Sequence, residues 1–384
     1  MRSRTGFLAA ALLLALALTA CTGAPLEPSW GDISLLDNNI LVTFGNVMIQ
    51  LNPVDGSPVN LYDPEGQIRT DPATQTARRW EITGTDATTR FYQAPFLWDE
   101  DLLLAPSYDR KLVEIENSAA RLVNVTGYPL PGHIVAPVLP ADDLLYVPLS
   151  ENDLLALNRD DLSQAWRFAT RRGIWAEPLL VDDTLYVTSM DHNLYAVDSV
   201  TGQEIWRLDL GGAIASAPVL HDGALYIGNF ARKLYKISLD GVILAEYSTV
   251  DWVWGTPTIV DDTLYAADLV GNVYALAIDG DGFVELWRQQ TAARAIRPSV
   301  VVYQDRVIAA SRDHFVYWLN RETGETIVRH DVRAEVMADL LLLEPTEGLD
   351  IREPLLLVST MARDNLLFAF AADGNSEPRW KYPR

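Results

Sequence analysis

The sequence predicts an all-β protein: an eight-bladed β-propeller of four-stranded antiparallel blades that occupies residues 30–384. Three observations predict this fold. A proline-led phrase recurs about every forty residues, each copy contains four short strand-like stretches, and most copies end on a large aromatic residue. One such unit cannot bury both faces of its own sheet. A closed ring of units buries them and leaves only short edges.

The period is marked by prolines that are 42, 41, 40, 39 and 41 residues apart: Pro95, Pro137, Pro178, Pro218, Pro257 and Pro298. A fixed period of this length is typical of a repeat architecture. Extending it in both directions predicts eight copies, which begin near Ile33, Pro95, Pro137, Pro178, Pro218, Pro257, Pro298 and Asp339.

Each copy predicts four strands in order. The first follows the proline, because the first residue of a strand can lack an N–H donor. The second and third each carry a Leu-Tyr pair, as at Leu185-Tyr186 and Leu194-Tyr195. A turn with Thr-Gly or Asp-Gly then leads to the fourth strand.

Large aromatic residues close most fourth strands: Trp80 (a looser match), Trp166, Trp206, Trp287 and Trp380. Tyr247 and Val328 are expected in the same position of two other copies. An aromatic side chain buries about 150–250 Å², so we expect these residues to wedge between neighbouring blades. The long insertions at residues 62–79 and 344–354 are polar and turn-rich, which predicts surface loops.

The N-terminus predicts export. Arg2 and Arg4 precede an apolar stretch over residues 6–18, which is too short to span a membrane. The following Leu-Thr-Ala-Cys, ending at Cys21, resembles a bacterial lipobox. We therefore expect a lipoprotein signal peptide over residues 1–20, lipidation of Cys21 and a short tether over 21–29. The mature protein would be extracytoplasmic and lipid-anchored to the cell membrane or outer membrane.

Charge and cysteine content exclude several classes of function. A formal net charge of −22 disfavours nucleic acid, whose phosphates would be repelled, and peripheral binding to anionic lipid. Cys21 is the only cysteine, which excludes an internal disulfide. None of the five histidines pairs with another at metal-ligand spacing, and no nucleophile elbow or phosphate loop occurs. The residues thus predict no catalytic site, metal or cofactor.

The stretches "APVLHDGALYIGN" (217–229) and "LYAVDSVTGQEIWRLDLGG" (194–212) resemble the pyrroloquinoline-quinone-type propeller repeat. The dehydrogenases for which the repeat is named hold the quinone against two adjacent cysteines, with a calcium ion. This chain lacks that pair, so a quinoprotein oxidoreductase is a distant alternative. The whole-chain plan, a lipobox, a tether and eight repeats, resembles the propeller lipoproteins of the outer-membrane β-barrel assembly machinery.

The candidate site is the mouth of the central channel, which the loops from each fourth strand to the next first strand should surround. Three residues before each repeat start stand Trp30, Tyr92, Ile134, Trp175, Ala215, Trp254, Ala295 and Val336. Aromatic and charged residues break the repeat here, and the candidate binding residues are Trp30, Tyr92, Arg171, Arg172, Trp175, Asp251, Trp252, Trp254, Arg294 and Arg297. Tryptophan, tyrosine and arginine dominate binding energy at interfaces.

Two interpretations of these residues remain open. The aromatic residues either plug the channel and pack on neighbouring loops, or they form a recognition surface. The resemblance implies a scaffold that binds a protein partner in the cell envelope through these loops, with Arg172-Gly173 and Asp251 as loose matches to the family's docking loops. The alternative is a propeller that binds a glycan or peptide by stacking on tryptophan.

Overall fold

The computed structural model describes residues 31–84, 89–280 and 282–383. It confirms the eight-bladed β-propeller: there are eight four-stranded sheets, and in each one consecutive strands pair in chain order. All of the pairings are antiparallel, as in Leu179↔Tyr186 between the first two strands of one sheet. The sheets are called blades 1 to 8 in chain order.

The first four blades follow the predicted repeat starts. Blade 1 contains β1 (Ile33–Leu36), β2 (Asn39–Phe44), β3 (Val47–Leu51) and β4 (Glu81–Thr83). Blade 2 contains β5 (Phe96–Asp99), β6 (Leu102–Ser107), β7 (Lys111–Glu116) and β8 (Arg121–Pro129). Blade 3 contains β9 (Leu139–Pro140), β10 (Leu144–Pro148), β11 (Asp153–Asn158) and β12 (Gln164–Ala169). Blade 4 contains β13 (Leu179–Val181), β14 (Thr184–Thr188), β15 (Asn193–Asp198) and β16 (Glu204–Asp209).

The other four blades have the same order. Blade 5 contains β17 (Val219–His221), β18 (Ala224–Asn229), β19 (Lys233–Ser238) and β20 (Ile243–Ser248). Blade 6 contains β21 (Thr258–Val260), β22 (Thr263–Ala267), β23 (Asn272–Asp279) and β24 (Gly282–Gln290). Blade 7 contains β25 (Val301–Tyr303), β26 (Arg306–Ala310), β27 (Phe315–Asn320) and β28 (Thr326–Asp331). Blade 8 contains β29 (Leu341–Leu343), β30 (Leu355–Ser359), β31 (Leu367–Ala371) and β32 (Trp380–Tyr382).

The second and third strands form the core because neighbouring blades cover both of their faces. Every residue of β18 is buried, and so is every residue of β31. The fourth strands alternate between exposed and covered residues, as in β16. This gradient explains why near-continuous apolar runs occur in the second and third strands but not in the fourth.

Tryptophans close the seams between blades, as predicted. Six indole Nε1–H groups donate to a backbone carbonyl of the next blade at 2.9–3.1 Å: those of Trp80, Trp166, Trp206, Trp287, Trp318 and Trp380. The last of these bonds runs from Trp380 in blade 8 to Pro53 in blade 1 and closes the ring. A buried indole is thus both packed and hydrogen-bonded.

Two seams depart from the prediction. Val328 does occupy the expected position, but the indole that fills the seam belongs to Trp318, its partner on β27. The prediction for Tyr247 is wrong, because Ala245 pairs with Lys236 at the position where blade 4 pairs Trp206 with Ala196. The Lys236 ammonium donates to the Gly280 carbonyl of the next blade at 2.5 Å.

The long insertions in blades 1 and 8 are more ordered and more buried than the surface loops that were predicted. Residues 52–79 form a ladder of isolated bridges, such as Asn60↔Arg79, and bury Leu61. The insertion in blade 8 buries Leu349 and Ile351 against blade 1. Apart from one 3₁₀ turn, Arg363–Asn365, the described residues form no helix, and none of that part of the chain offers a helix able to cross a membrane.

Candidate functional site

The loops between blades and the turns between second and third strands meet on one face of the propeller. A recurring backbone bond joins them: Met190 N–H donates to the Gly173 carbonyl at 2.9 Å, and Phe230 N–H donates to the Ala213 carbonyl at 2.9 Å. The same bond recurs from Leu269 to Trp252 at 3.0 Å. These bonds hold the mouth loops on a rigid scaffold.

A buried apolar residue anchors each of the seven mouth loops before blades 2 to 8: Phe91, Ile134, Ile174, Ile214, Val253, Ile296 and Val336, all at most 1% exposed. The residue that follows each anchor lines the channel, which gives an upper ring of Tyr92, Val135, Trp175, Ala215, Trp254, Arg297 and Met337. The sequence register was therefore wrong in blades 3, 7 and 8, where Ile134, Ala295 and Val336 were expected. The strand pairings show that Pro137 lies one residue earlier in the repeat than Pro178, and that Pro298 lies two residues earlier.

The channel holds a cavity of about 370 Å³. Below the upper ring, a lower ring lines it with small, hydroxyl and acidic residues: Asp32, Ala94, Pro137, Glu177, Ala217, Thr256, Ser299 and Asp339. Side-chain oxygens of this ring accept hydrogen bonds from backbone N–H groups of an adjacent blade. The donor and acceptor residues are Ala217 and Thr256 (3.1 Å), Thr256 and Ser299 (3.0 Å), Ser299 and Asp339 (2.6 Å), and Ala94 and Asp32 (2.8 Å). The lower ring thus ties blades together at the axis.

Low solvation in the channel shifts the pKa of its charged groups. Burial raises the pKa of Asp32 to about 6, against the opposing effect of its two backbone hydrogen bonds. Burial also raises the pKa of Glu177, and the nearby charge of Asp32 adds to the effect. The pKa of Arg297 falls to about 10, mainly through burial and then through repulsion by Arg312. Each shift disfavours the charged form.

An aromatic cluster covers one side of the mouth. Phe230 stacks on Trp252 with ring centroids 4.9 Å apart and planes 8° apart, and it also contacts Trp254 at 5.2 Å. Trp254 meets Trp175 edge to face at 5.9 Å, and the Arg297 guanidinium lies 3.9 Å from the Trp254 ring centroid. Four of these residues were candidates from sequence. Phe230 was missed, although a large residue recurs at this turn position, as at Tyr108, Met190, Leu269 and Arg312.

The two consecutive arginines lie on the outside of the mouth. Arg171 and Arg172 are both exposed, and within the described ranges neither side chain forms an ion pair. Their loop is held through its backbone: Arg171 N–H donates to the Asp191 carboxylate at 2.8 Å, and the Arg172 carbonyl accepts from Ser189 at 3.1 Å. Asp251, in the loop before blade 6, lies 3.7 Å from Arg232.

The remaining candidates lie elsewhere. Tyr92 lines the far side of the channel and contacts Tyr108 at 5.1 Å. Arg294 is not part of the aromatic cluster: it pairs with Glu335 at 2.8 Å, which also binds Arg312. Trp30 and the lipidation candidate Cys21 lie outside the described residues.

The candidate residues therefore separate into those that pack together inside the channel and those that are exposed around its mouth. Trp175, Trp254 and Arg297 pack together and line the channel. Trp252 remains 45% exposed and, with Arg171 and Arg172, offers surface to a ligand or partner. Within the described part of the chain, one group of side chains has metal-ligand geometry: His221, Asp222 and Asp262, on the opposite face.

These features define a closed eight-bladed propeller with an asymmetric aromatic mouth. A family model described as "Outer membrane protein assembly factor BamB" matches residues 169–281 and 271–383, more than half of the chain. The chain belongs to this family, which confirms the resemblance seen in its repeats.

Solved structures show the same fold. The crystal structure of BamB from Moraxella catarrhalis aligns with a TM-score of 0.65 at 16% identity, covering 90% of this chain and 95% of that one. The computationally designed Ika8 protein aligns with a TM-score of 0.63 at 12% identity, covering 90% and 98%. A search of curated proteins found no match.

Proposed function

We propose that this protein is a protein-binding scaffold of the cell envelope that takes part in the assembly of outer-membrane proteins. Membership of the assembly-factor family supports this role. The partner docks on the sector of the mouth formed by the loops before blades 4 and 6. In this proposal the protein acts by binding, and its single cysteine cannot form the adjacent pair of the quinone dehydrogenases.

The exposed arginine pair beside a rigid aromatic cluster carries this proposal. On a protein with a net charge of −22, Arg171 and Arg172 form an exposed cationic point. Trp175 and Trp254 join the two loops at 5.9 Å, so the surface is ordered before a partner arrives. A preorganised surface loses less entropy on binding, and exposed Trp and Arg are typical binding hot spots.

The propeller is held at a membrane through a lipid on Cys21. Residues 21–29 are then a short tether, and the protein is extracytoplasmic. A lipid anchor keeps the scaffold close to a membrane-embedded partner and raises the effective concentration of one for the other. The lipobox-like Leu-Thr-Ala-Cys supports this part of the proposal.

A glycan or peptide ligand is the second candidate. Trp252 is 45% exposed, and one face of its ring is stacked on Phe230. An indole fixed in this way offers its other face as a stacking platform for a sugar ring or an aromatic side chain. This binding would depend on Trp252 alone and would not need the arginine pair.

The test is affinity capture of partners from detergent-solubilised membranes, followed by mass spectrometry. The variant Arg171→Ala/Arg172→Ala/Trp252→Ala should fold and lose its partner. Arg78→Ala/Arg79→Ala is the matched control, because it removes two exposed arginines from the opposite face. We expect a component of the β-barrel assembly machinery to be captured by the wild type and the control only. Capture by the mouth variant, or loss in the control, would contradict the proposal.

The second candidate has its own assay. A glycan array and a peptide library are screened with the wild type and with Trp252→Ala. Specific binding that Trp252→Ala abolishes and Arg171→Ala/Arg172→Ala leaves intact would favour the glycan or peptide interpretation.

A further inference from the structure

We propose that the seam between blades 5 and 6 contains a site for Zn²⁺ or a similar first-row divalent cation on the face opposite the mouth. Its ligands are His221 Nε2 and the carboxylates of Asp222 and Asp262. The ion would join two blades whose seam lacks the tryptophan hydrogen bond. This inference does not depend on the proposed function, which concerns the other face.

The geometry suits a small cation. His221 ends β17 of blade 5, and Asp222 follows it in the turn to β18. Asp262 lies in the equivalent turn of blade 6. His221 Nε2 is 2.7 Å from Asp262 Oδ1 and 3.7 Å from Asp222 Oδ2, and the three ligand atoms all lie within 4.8 Å of one another. Zinc bonds of about 2.0–2.2 Å need ligand atoms roughly 3–3.5 Å apart.

A buried tyrosine beside this group supplies an independent observation. Tyr226 is 0% exposed, and its hydroxyl has no hydrogen-bond partner among the described residues. Its ring centroid lies 6.1 Å from that of His221. An unsatisfied buried hydroxyl is costly, and this one belongs to a ring that packs against the proposed ligand His221.

Other seams satisfy the equivalent hydroxyl from the chain itself. Tyr146 donates to the Ser199 carbonyl at 3.2 Å, and Tyr186 donates to the Leu239 carbonyl at 3.1 Å. In blade 5, Lys236 replaces Tyr226 as the donor to the next blade, at Gly280. The Tyr226 hydroxyl makes no equivalent bond.

In the seam between blades 6 and 7, a cationic side chain hydrogen-bonds the tyrosine hydroxyl that is equivalent to that of Tyr226. There the Arg321 guanidinium donates to Tyr265 Oη at 3.0 Å and to the Asp261 carboxylate at 2.7 Å. Asp261 and Tyr265 occupy the repeat positions of Asp222 and Tyr226. In blade 6 the repeat position of Arg321 is occupied by Ile278, whose N–H donates to the Asp262 carbonyl as the N–H of Arg321 donates to the Asp305 carbonyl. The chain therefore supplies no guanidinium at this position to the seam between blades 5 and 6. A metal ion with a bound water can replace it, the water donating to Tyr226 Oη.

The ligand types select the metal. An imidazole nitrogen with two carboxylates favours Zn²⁺, whereas Mg²⁺ and Ca²⁺ prefer sites made of oxygen ligands alone. Two carboxylates also neutralise the dication. Lys236 faces the same seam, 6.0 Å from the Tyr226 ring, but its ammonium is engaged by the Gly280 carbonyl.

The test is calorimetric titration of the full mature protein with Zn²⁺ near neutral pH, with Mg²⁺ and Ca²⁺ as comparisons, and thermal melts with and without Zn²⁺. We expect one equivalent of Zn²⁺ to bind and to raise the melting temperature. His221→Ala should weaken binding by about tenfold or more and abolish the thermal shift. His192→Ala, an exposed histidine on the mouth face, is the matched control and should change neither.

Tyr226→Phe distinguishes a seam site from casual surface binding. If the hydroxyl receives a metal-bound water, Tyr226→Phe should bind Zn²⁺ about tenfold more weakly and show a smaller thermal shift. Equal Zn²⁺ affinity in the wild type and His221→Ala, or equal binding of Ca²⁺, would overturn the site. Zinc binding with no thermal shift and no effect of Tyr226→Phe would show an adventitious surface ion and overturn the proposal.

Discussion

Gly202 of blade 4 lies against the indole of Trp166 in blade 3. A Cβ added at Gly202 would lie 2.6 Å from two atoms of that ring, and the residue has a φ of +68°. Glycines contact the seam tryptophan in the same way at Gly56, Gly241, Gly324 and Gly374. The recurring Thr-Gly and Asp-Gly turns are therefore needed for packing between blades as well as for turn geometry.

Gly202→Ala should lower the free energy of unfolding for two reasons, the left-handed backbone and the clash with Trp166. Gly223→Ala is the matched control, because Gly223 has a φ of +70° with nothing within 4 Å of the added Cβ. Backbone strain alone costs about 1–2 kcal/mol, and overpacking adds about 1–3 kcal/mol. Denaturant melts of both variants measure the difference, and equal losses would show that the ring contact is unimportant.

Trp166→Ala should destabilise the protein by about 3–5 kcal/mol, since it opens a cavity in the seam and removes the bond to the Ser199 carbonyl. Trp175→Ala should cost less, about 1 kcal/mol, because Trp175 is only partly buried at the mouth. Chemical denaturation of the two variants tests this order. A loss of similar size in Trp175→Ala would make it a core residue and weaken its assignment to the mouth surface.

The contribution of Asp32 to stability should fall as pH rises from about 4 to about 6, because Asp32 has a pKa of about 6 in the folded protein and 3.8 ordinarily. Between these values the folded state binds more protons than the unfolded state, so raising the pH favours unfolding. The full difference corresponds to at most about 3 kcal/mol, and solvent in the open channel reduces it. Asp32→Asn should flatten the dependence of stability on pH when melts are compared between about pH 4 and pH 6. If the slope of stability against pH did not change in the variant, other groups would be responsible for it.

Cys21→Ser should release a folded propeller from the membrane, because the seams and the core are built from other residues. Membrane fractionation after a high-salt wash, with detection of the protein in each fraction, measures the effect. Retention of the variant on membranes would show that the anchor is not at Cys21.

The repeat could be read from sequence because its determinants are local. Alternating apolar residues, Leu-Tyr pairs and turn glycines each act within a few residues, and the period of about forty residues orders them into blades. The mouth was located for the same reason: Tyr92, Trp175 and Trp254 stand beside a recurring proline or apolar anchor.

The features that only the tertiary structure decided arise from contacts between residues of different blades. An offset of one or two residues in a loop has little effect on the apolar pattern, so the repeat spacing placed Ala295 and not Arg297 in the ring with Trp175. Phe230 joins Trp254 from another repeat, and Arg294 is neutralised by Glu335, forty-one residues away. His221 and Asp262 are equally distant in the chain, so ligand spacing along the sequence could not bring them together. Closure of the ring does, because it places equivalent turns of successive blades side by side.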